Sequence, residues 1–216
     1  MVFNLSEFNN IGHRFLAELR DVNIQKDRLR FRHNMERLGE ILAYEISKTL
    51  SYQTLKVETP MGMADAQMPE HPVVLGTILR AGLPLHQGML NYFDNAGNAF
   101  ISAYRKHHKD GTFEIKVEYV SCPNIEGKVL ILCDPMLATG ASITLAATAL
   151  LEHGQPAAIH FATAIASPYG VEHVQRLFPQ ASIWMGALDD ELTAKSYIVP
   201  GLGDAGDLSF GEKVQD

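Results

Sequence analysis

The chain has two cysteines, Cys122 and Cys133, and a single tryptophan among 216 residues. So few thiols exclude a disulfide framework or a zinc ribbon, and the nine histidines fall into no metal-ligand spacing. Positive charge is also scarce. Lys and Arg number 18 against 25 Asp and Glu, a formal net charge of -7, which argues against a broad nucleic-acid-binding face. A local basic cluster around a small anion remains compatible with that balance. No segment approaches the roughly 18 uninterrupted apolar residues of a membrane span. Met1 to Glu7 shows no basic stretch leading into a long apolar run, so no secretory signal is expected and the cytoplasm is the expected compartment. A G-x-x-x-x-G-K-[ST] loop is absent, which excludes an NTPase-type phosphate loop. There is no internal repeat.

What is present is ordinary globular material, 46% hydrophobic and 20% charged, long enough to bury a core as one domain. The first fifty residues read as helical. From Asp27 onward Met35, Leu38, Ile41, Leu42 and Ile46 recur at three- and four-residue spacing. Leu55 to Glu58 alternates like a short strand, and 60–72 reads as a connection rich in Pro, Gly and Met. From Pro72 the texture changes. Val73 to Leu79, Ala99 to Tyr104, Val129 to Cys133, Ala157 to Ala166 and Ser182 to Ala187 are near-continuous apolar runs. Such runs suit strands of a parallel sheet covered on both faces. Helical stretches over 141–151 and 171–178 separate several of them, so the expected fold class is α/β, a doubly wound, mostly parallel sheet.

Between Arg105 and Val120 an Asp110-Gly111 turn signal precedes alternating Glu114 to Tyr119. This predicts a projecting hairpin over 105–120, either a plain surface feature or a lid. Near the C-terminus, Gly201-Leu202-Gly203-Asp204-Ala205-Gly206 spells G-x-G-x-x-G. A dinucleotide fingerprint must open a helix and precede a second strand with an acid about twenty residues on; only ten residues follow Gly206, and no helix is expected there. The glycines instead allow a bent main chain, either a ligand-recognition edge or a turn packed for shape.

The strongest local signal is Val129-Leu130-Ile131-Leu132-Cys133-Asp134-Pro135-Met136-Leu137-Ala138-Thr139-Gly140-Ala141-Ser142. A buried strand runs into a short loop and then a helix. Successive N–H groups at that helix start, with the Thr139 and Ser142 hydroxyls, can cradle a phosphate. Asp134 cannot favour phosphate but can accept hydrogen bonds from ribose hydroxyls, so the pair suits a ribose 5-phosphate. The alternative is an Asp at a helix entry with Thr139 and Ser142 as caps. This stretch resembles the phosphoribosyl-pyrophosphate (PRPP) motif of type I phosphoribosyltransferases, and its Asp-Pro-Met-Leu-Ala-Thr-Gly form is similar to that of the uracil phosphoribosyltransferase family. Ile78-Leu79-Arg80-Ala81-Gly82-Leu83 and Tyr197 to Asp207 agree with it, so the resemblance spans nearly the whole chain in matching order.

The resemblance implies transfer of phosphoribosyl from PRPP to uracil, giving UMP and pyrophosphate in pyrimidine salvage. It places Asp134, Pro135, Met136, Leu137, Ala138, Thr139, Gly140, Ala141 and Ser142 on the ribose 5-phosphate, with Arg80 and Arg105 holding the pyrophosphate. Both arginines end apolar runs and should lie outside the carboxyl edge of the sheet, where open α/β sheets bind ligands, and a guanidinium fork suits phosphate oxygens. Main-chain groups near Ile198, Gly203, Asp204 and Ala205 would read uracil, and Asp204 would also touch PRPP. Arg80, Arg105 and Asp204 are thus the candidate catalytic residues. Magnesium is implied as a cofactor held mainly by substrate oxygens, with no dedicated protein metal site. Uracil and PRPP are the implied partners, without nucleic acid or membrane. The amphipathic N-terminal helix makes a homo-oligomer, dimer or larger, the expectation, and some family members respond to GTP.

One domain over 1–216 is expected: an N-terminal helical hood (1–71), a core sheet with its hairpin (72–187) and a uracil-binding C-terminal segment (188–216). Some positions depart from the family pattern. Pro84 and Gln87 stand where Gly and Asp are usual, Ala141 replaces a Gly, and Ala103 a Met. The alternatives are a phosphoribosyltransferase for another base, a non-catalytic nucleotide-binding or RNA-binding regulator, or a structural paralogue with a dead site.

Overall fold

The computed structural model describes residues 1–107 and 113–213, with the backbone alone for 103–107 and 113–116. In chain order the elements are β1 (Val2–Asn4), α1 (Gly12–Arg20), α2 (Arg28–Ser47), β2 (Tyr52–Thr59), β3 (Gly62–Pro69), β4 (Val73–Leu79), α3 (Leu83–Leu90), β5 (Gly97–His107) and β6 (Phe113–Ser121). They continue with β7 (Val129–Cys133), β8 (Met136–Leu137), α4 (Ala141–Leu150), β9 (Ala158–Ala166), α5 (Pro168–Leu177), β10 (Ser182–Leu188), β11 (Glu191–Leu192), β12 (Ile198–Val199) and α6 (Ala205–Phe210).

The main sheet runs β1-β10-β9-β7-β4-β5-β6, with β8 beside β9. Every pairing in it is parallel except β5 with β6. The apolar runs alternate sides as a strand must. Leu75, Ile131, Cys133, Ala162 and Trp184 face one layer, where α2 contributes Phe31, Met35, Leu38, Leu42 and Ile46. Val74, Leu130, Leu132, Phe161 and Met185 face the other, against Ile143, Ala146, Ala147 and Leu150 of α4 and Val174 of α5. Two buried layers on one sheet make the fold doubly wound. The helix starts are locally encoded. Asp27 accepts the N–H groups of Leu29 and Arg30 at 3.0 and 3.1 Å to open α2, and Ser167 accepts that of Gly170 at 3.0 Å to open α5.

The structure corrects the sequence reading in four places. The N-terminal stretch is not purely helical: Val2–Asn4 pairs with Ile183–Met185, a strand too short to show alternation and stabilised by its partner. Residues 60–72 are not a plain connection, because β3 pairs along its whole length with β2 in a hairpin. Thr59 to Gly62 forms the turn, and nearly every hairpin side chain is exposed, so only the alternating 55–58, which does lie in β2, marks it in the sequence. β5 does not stop before Arg105; it carries on to His107, with Arg105 opposite Ile115 of β6. Strand β4 ends opposite Ser102, so Arg105 still lies beyond that edge, on the projecting hairpin. The hairpin tip, 108–112, lies outside the described residues, Asp110 and Gly111 included. Finally, a helix does follow the C-terminal glycines, the six-residue α6.

Candidate functional site

Three loops meet at the carboxyl edge of the sheet. The loop after β4 presents Arg80, Ala81 and Gly82. Gly82 presses against the end of β7: a Cβ there would lie 3.0 Å from the Cys133 carbonyl oxygen, 2.8 Å from that of Ile78, and would collide with the Thr77 hydroxyl. The loop that carries Arg80 is thus pressed against the end of β7, just before Asp134. Arg80 Nη2 donates to the Gly211 carbonyl at 2.9 Å and lies 3.7 Å from Asp207 Oδ1. Its Nε and the Thr77 Oγ1 are buried with no partner among the described residues.

Asp134 is half-buried, with Oδ1 3.4 Å from the Met136 N–H. Burial pushes its carboxyl up to about 7, and that N–H draws it only partly back. The loop beyond is braced from behind. The Pro135 carbonyl accepts the N–H groups of Ala164 and Ile165 at 3.1 and 3.0 Å, and Met136 and Leu137 pair with β9. Ser167 Oγ donates to the Ala138 carbonyl at 2.6 Å. In front, Gly140 takes φ 78° and α4 begins. Thr139 Oγ1 accepts the Ala141 N–H at 3.4 Å, while the N–H groups of Thr139, Gly140 and Ser142 have no acceptor among the described residues. N–H groups left without an acceptor at a helix N-terminus, with Ser142 on its first turn, are the donors an anion cradle requires. The alternative cap reading is not met: Gly140 stands at the N-cap position of α4, which has no side-chain cap.

The C-terminal loop closes over this edge. Ile198 is buried in β12, opposite Leu192. Gly203 and Asp204 are exposed, and Ala205 is buried. Asp204 caps α6 by accepting the Asp207 N–H at 3.0 Å, so one carboxylate oxygen is engaged and the other has no partner among the described residues. A Cβ on Gly206 would stand 3.8 Å from the Ala81 methyl, which puts α6 against the loop of Arg80. All three sequence motifs thus share one mouth. The side chain of Arg105 lies outside the described residues, and its backbone alone is placed beyond the β4 edge.

Sequence reasoning missed three residues here. Asp207 faces Arg80, and its motif position next to Gly206 was the available signal. Asp189 follows β10 as Asp134 follows β7, and Arg20 ends α1; both reach the backbone of Gly201. Nothing in the local sequence links residues so far apart. A separate cavity of about 550 Å³ between α2, α3 and β5 is lined by His86, Asn98, Phe100 and Phe210, and holds none of the predicted residues. Among the described residues no group of three His, Cys, Asp or Glu side chains is placed to hold a metal.

The family model described as uracil phosphoribosyltransferase matches residues 9–212. A uracil phosphoribosyltransferase of Porphyromonas gingivalis is 53% identical over 214 residues, covering 99% of both chains. The solved structure of the AQ2163 protein from Aquifex aeolicus superposes with a TM-score of 0.87 at 30% identity, covering all of both chains. A hypoxanthine phosphoribosyltransferase from Staphylococcus aureus shares the fold, with a TM-score of 0.50, 13% identity, and coverage of 86% of this chain and 84% of its own.

Proposed function

Because the chain belongs to the uracil phosphoribosyltransferase family, we propose that it transfers the phosphoribosyl group of PRPP to uracil, giving UMP and pyrophosphate in pyrimidine salvage. The observation that carries this reading is the meeting of Arg80, the cradle after Asp134 and the C-terminal glycine loop at one end of the sheet.

The cradle N–H groups and Ser142 hold the 5-phosphate, and ionised Asp134 accepts from the ribose hydroxyls. Arg80 and Arg105 take the pyrophosphate. As the C1–O bond to pyrophosphate breaks and the C1–N1 bond to uracil forms, positive charge grows on the ribose and negative charge on the leaving group. Fixed cationic donors aimed at that group lower the barrier, and holding the two substrates in line supplies much of the rest. Uracil presents acceptor, donor, acceptor along one edge. Main-chain groups near Ile198, Gly203 and Ala205 can match that order, whereas the amino group of cytosine leaves buried groups unpaired. The other carboxylate oxygen of Asp204 faces N1 and its proton.

Magnesium fits this mouth as an ion held mainly by substrate oxygens: such ions take one or two carboxylates together with substrate phosphates and water, and Asp134, Asp204 and Asp207 are carboxylates at this edge. When bound it would supply positive charge to the pyrophosphate. We also place the protein in the cytoplasm as a homo-oligomer. The free thiols Cys122 and Cys133 suit a reducing compartment, and no described helix is long and apolar enough to cross a membrane. The β2–β3 hairpin exposes Tyr52, Leu55, Val57, Met61, Met63 and Met68. A two-stranded ribbon is marginal in water on its own, which supports its packing on a second copy.

The test is turnover of a panel of bases with PRPP. Uracil should be used in preference to cytosine, orotate and hypoxanthine; preference for a purine overturns the reading.

A further inference from the structure

Gly201 is the buried pivot of the C-terminal loop. Its φ of 58° is a left-handed value, and a Cβ there would collide with the Ile198 carbonyl. Both backbone polar groups of this one residue are taken by a single ion pair. The Gly201 N–H donates to Asp189 Oδ2 at 2.8 Å, and its carbonyl accepts from Arg20 Nη1 at 3.0 Å. The pair is itself bidentate: Arg20 Nη1 donates to Asp189 Oδ2 at 2.6 Å and Nη2 to Oδ1 at 2.8 Å. The hydrogen bonds form a closed ring through residues 20, 189 and 201.

Each partner is anchored independently of the loop. Asp189 is buried at 6% exposure, and its N–H donates to the Ala166 carbonyl at the end of β9 at 2.9 Å. Arg20 ends α1, whose Leu16 and Leu19 are in the core. Gln25 Nε2 donates to the Leu19 and Arg20 carbonyls at 3.0 Å each. A buried ion pair is weak evidence for stability, since apolar residues often serve as well. What apolar residues cannot supply is one acceptor and one donor matched to the two backbone groups of a single turn residue. The fork of arginine does this while keeping both contacts to the carboxylate.

We infer that Arg20 and Asp189 are positioning residues for base recognition: through Gly201 they set the register of the main-chain edge that reads uracil. This rests on the uracil site proposed above. Ile198 precedes Gly201 in the same loop, and Gly203 and Ala205 follow it. A tilt at the pivot therefore moves the acceptors and donors on both sides of it. Hydrogen bonds weaken steeply with misalignment, so the loss falls chiefly on the base: the PRPP cradle hangs from β7 and α4, and Asp204, the one PRPP contact on this loop, is held separately by the Asp207 N–H of α6 at 3.0 Å.

Arg20→Ala and Asp189→Asn in the full chain test this, with Arg20→Lys as the conservative partner. Both disruptive variants should raise the KM for uracil at least about tenfold and narrow the preference for uracil over cytosine. The KM for PRPP should stay within about twofold. Arg20→Lys, which keeps the charge and a donor, should recover most of the uracil affinity. Folded variants with unchanged uracil KM overturn the inference. So do variants that lose uracil and PRPP affinity together, or that fail to fold, since either result assigns the pair a general structural role. A wild-type protein that does not use uracil overturns the function proposed above; an active wild type with indifferent variants overturns the role of the pair alone.

Discussion

Arg80 Nη2 and Asp207 Oδ1 lie 3.7 Å apart across the mouth of the site, one on the loop after β4 and the other on the first turn of α6. Both side chains are more than a third exposed, so the pair is worth little in itself, and pyrophosphate oxygens can replace Asp207 on the guanidinium. Arg80→Ala should therefore lower kcat/KM for PRPP at least about tenfold, or about 1.4 kcal/mol. Asp207→Ala should change it by less than about threefold. Steady-state kinetics with varied PRPP distinguishes the two, and equal losses would make the pair a structural clasp.

Asp134 sets a pH dependence. Its carboxyl, pushed up to about 7 by burial in the free protein, is protonated below that pH and accepts poorly from ribose hydroxyls. The kcat/KM for PRPP should rise with pH and level off above about 7, since that ratio reports groups of the free enzyme. Asp134→Asn should lower the plateau and abolish the acidic limb. A wild-type profile flat between pH 6 and 8 would exclude Asp134 as the titrating group.

His160 sets a second pH dependence, one of stability. His160 is buried, with Nδ1 accepting the Trp184 indole N–H at 3.0 Å, and burial lowers its pKa from 6.5 to about 4. Between those values the unfolded chain takes up a proton at this histidine that the folded chain refuses, so the stability contributed by neutral His160 is full above about 6.5 and is lost as pH falls toward 4. The whole span amounts to about 3 kcal/mol. His86 shifts in the same direction through burial. Asp134, with its carboxyl raised to about 7, contributes in the opposite direction over this range, so the comparison isolates His160: from pH 6.5 to 4.5 the melting temperature of the wild type should fall relative to that of His160→Gln. Parallel curves would place the acid sensitivity at other groups.

Asp204→Ala and Arg105→Ala should each reduce UMP formation at least about tenfold, about 1.4 kcal/mol in the barrier. Loss of Asp204 also removes the cap of α6, so the melting temperature is measured alongside. Near-wild-type rates for both variants would place the chemistry outside this mouth.

The sheet was legible because its five long strands are apolar on both faces, and because Asp27 and the spacing of Met35, Leu38, Leu42 and Ile46 mark α2 plainly. The cradle was legible for a local reason as well. A strand, a Gly in the left-handed region and an Ala-rich helix follow one another within 129–150. What the sequence hid is non-local or unpatterned. β1 is defined only by pairing with β10, and the β2–β3 hairpin carries no buried face. The ring joining Arg20, Asp189 and Gly201 bridges separations of up to 181 positions. The G-x-G-x-x-G string was rightly set aside as a dinucleotide site: it lies between the two-residue β12 and α6, which begins inside it at Ala205, and no strand follows among the described residues.

The most direct measurement is UMP formation by the purified protein with PRPP, magnesium and each of uracil, cytosine, orotate and hypoxanthine. The account predicts turnover with uracil, with cytosine rejected because its amino group meets donors of the bent C-terminal main chain. Turnover of hypoxanthine in preference to uracil, or no turnover of any base, would contradict it.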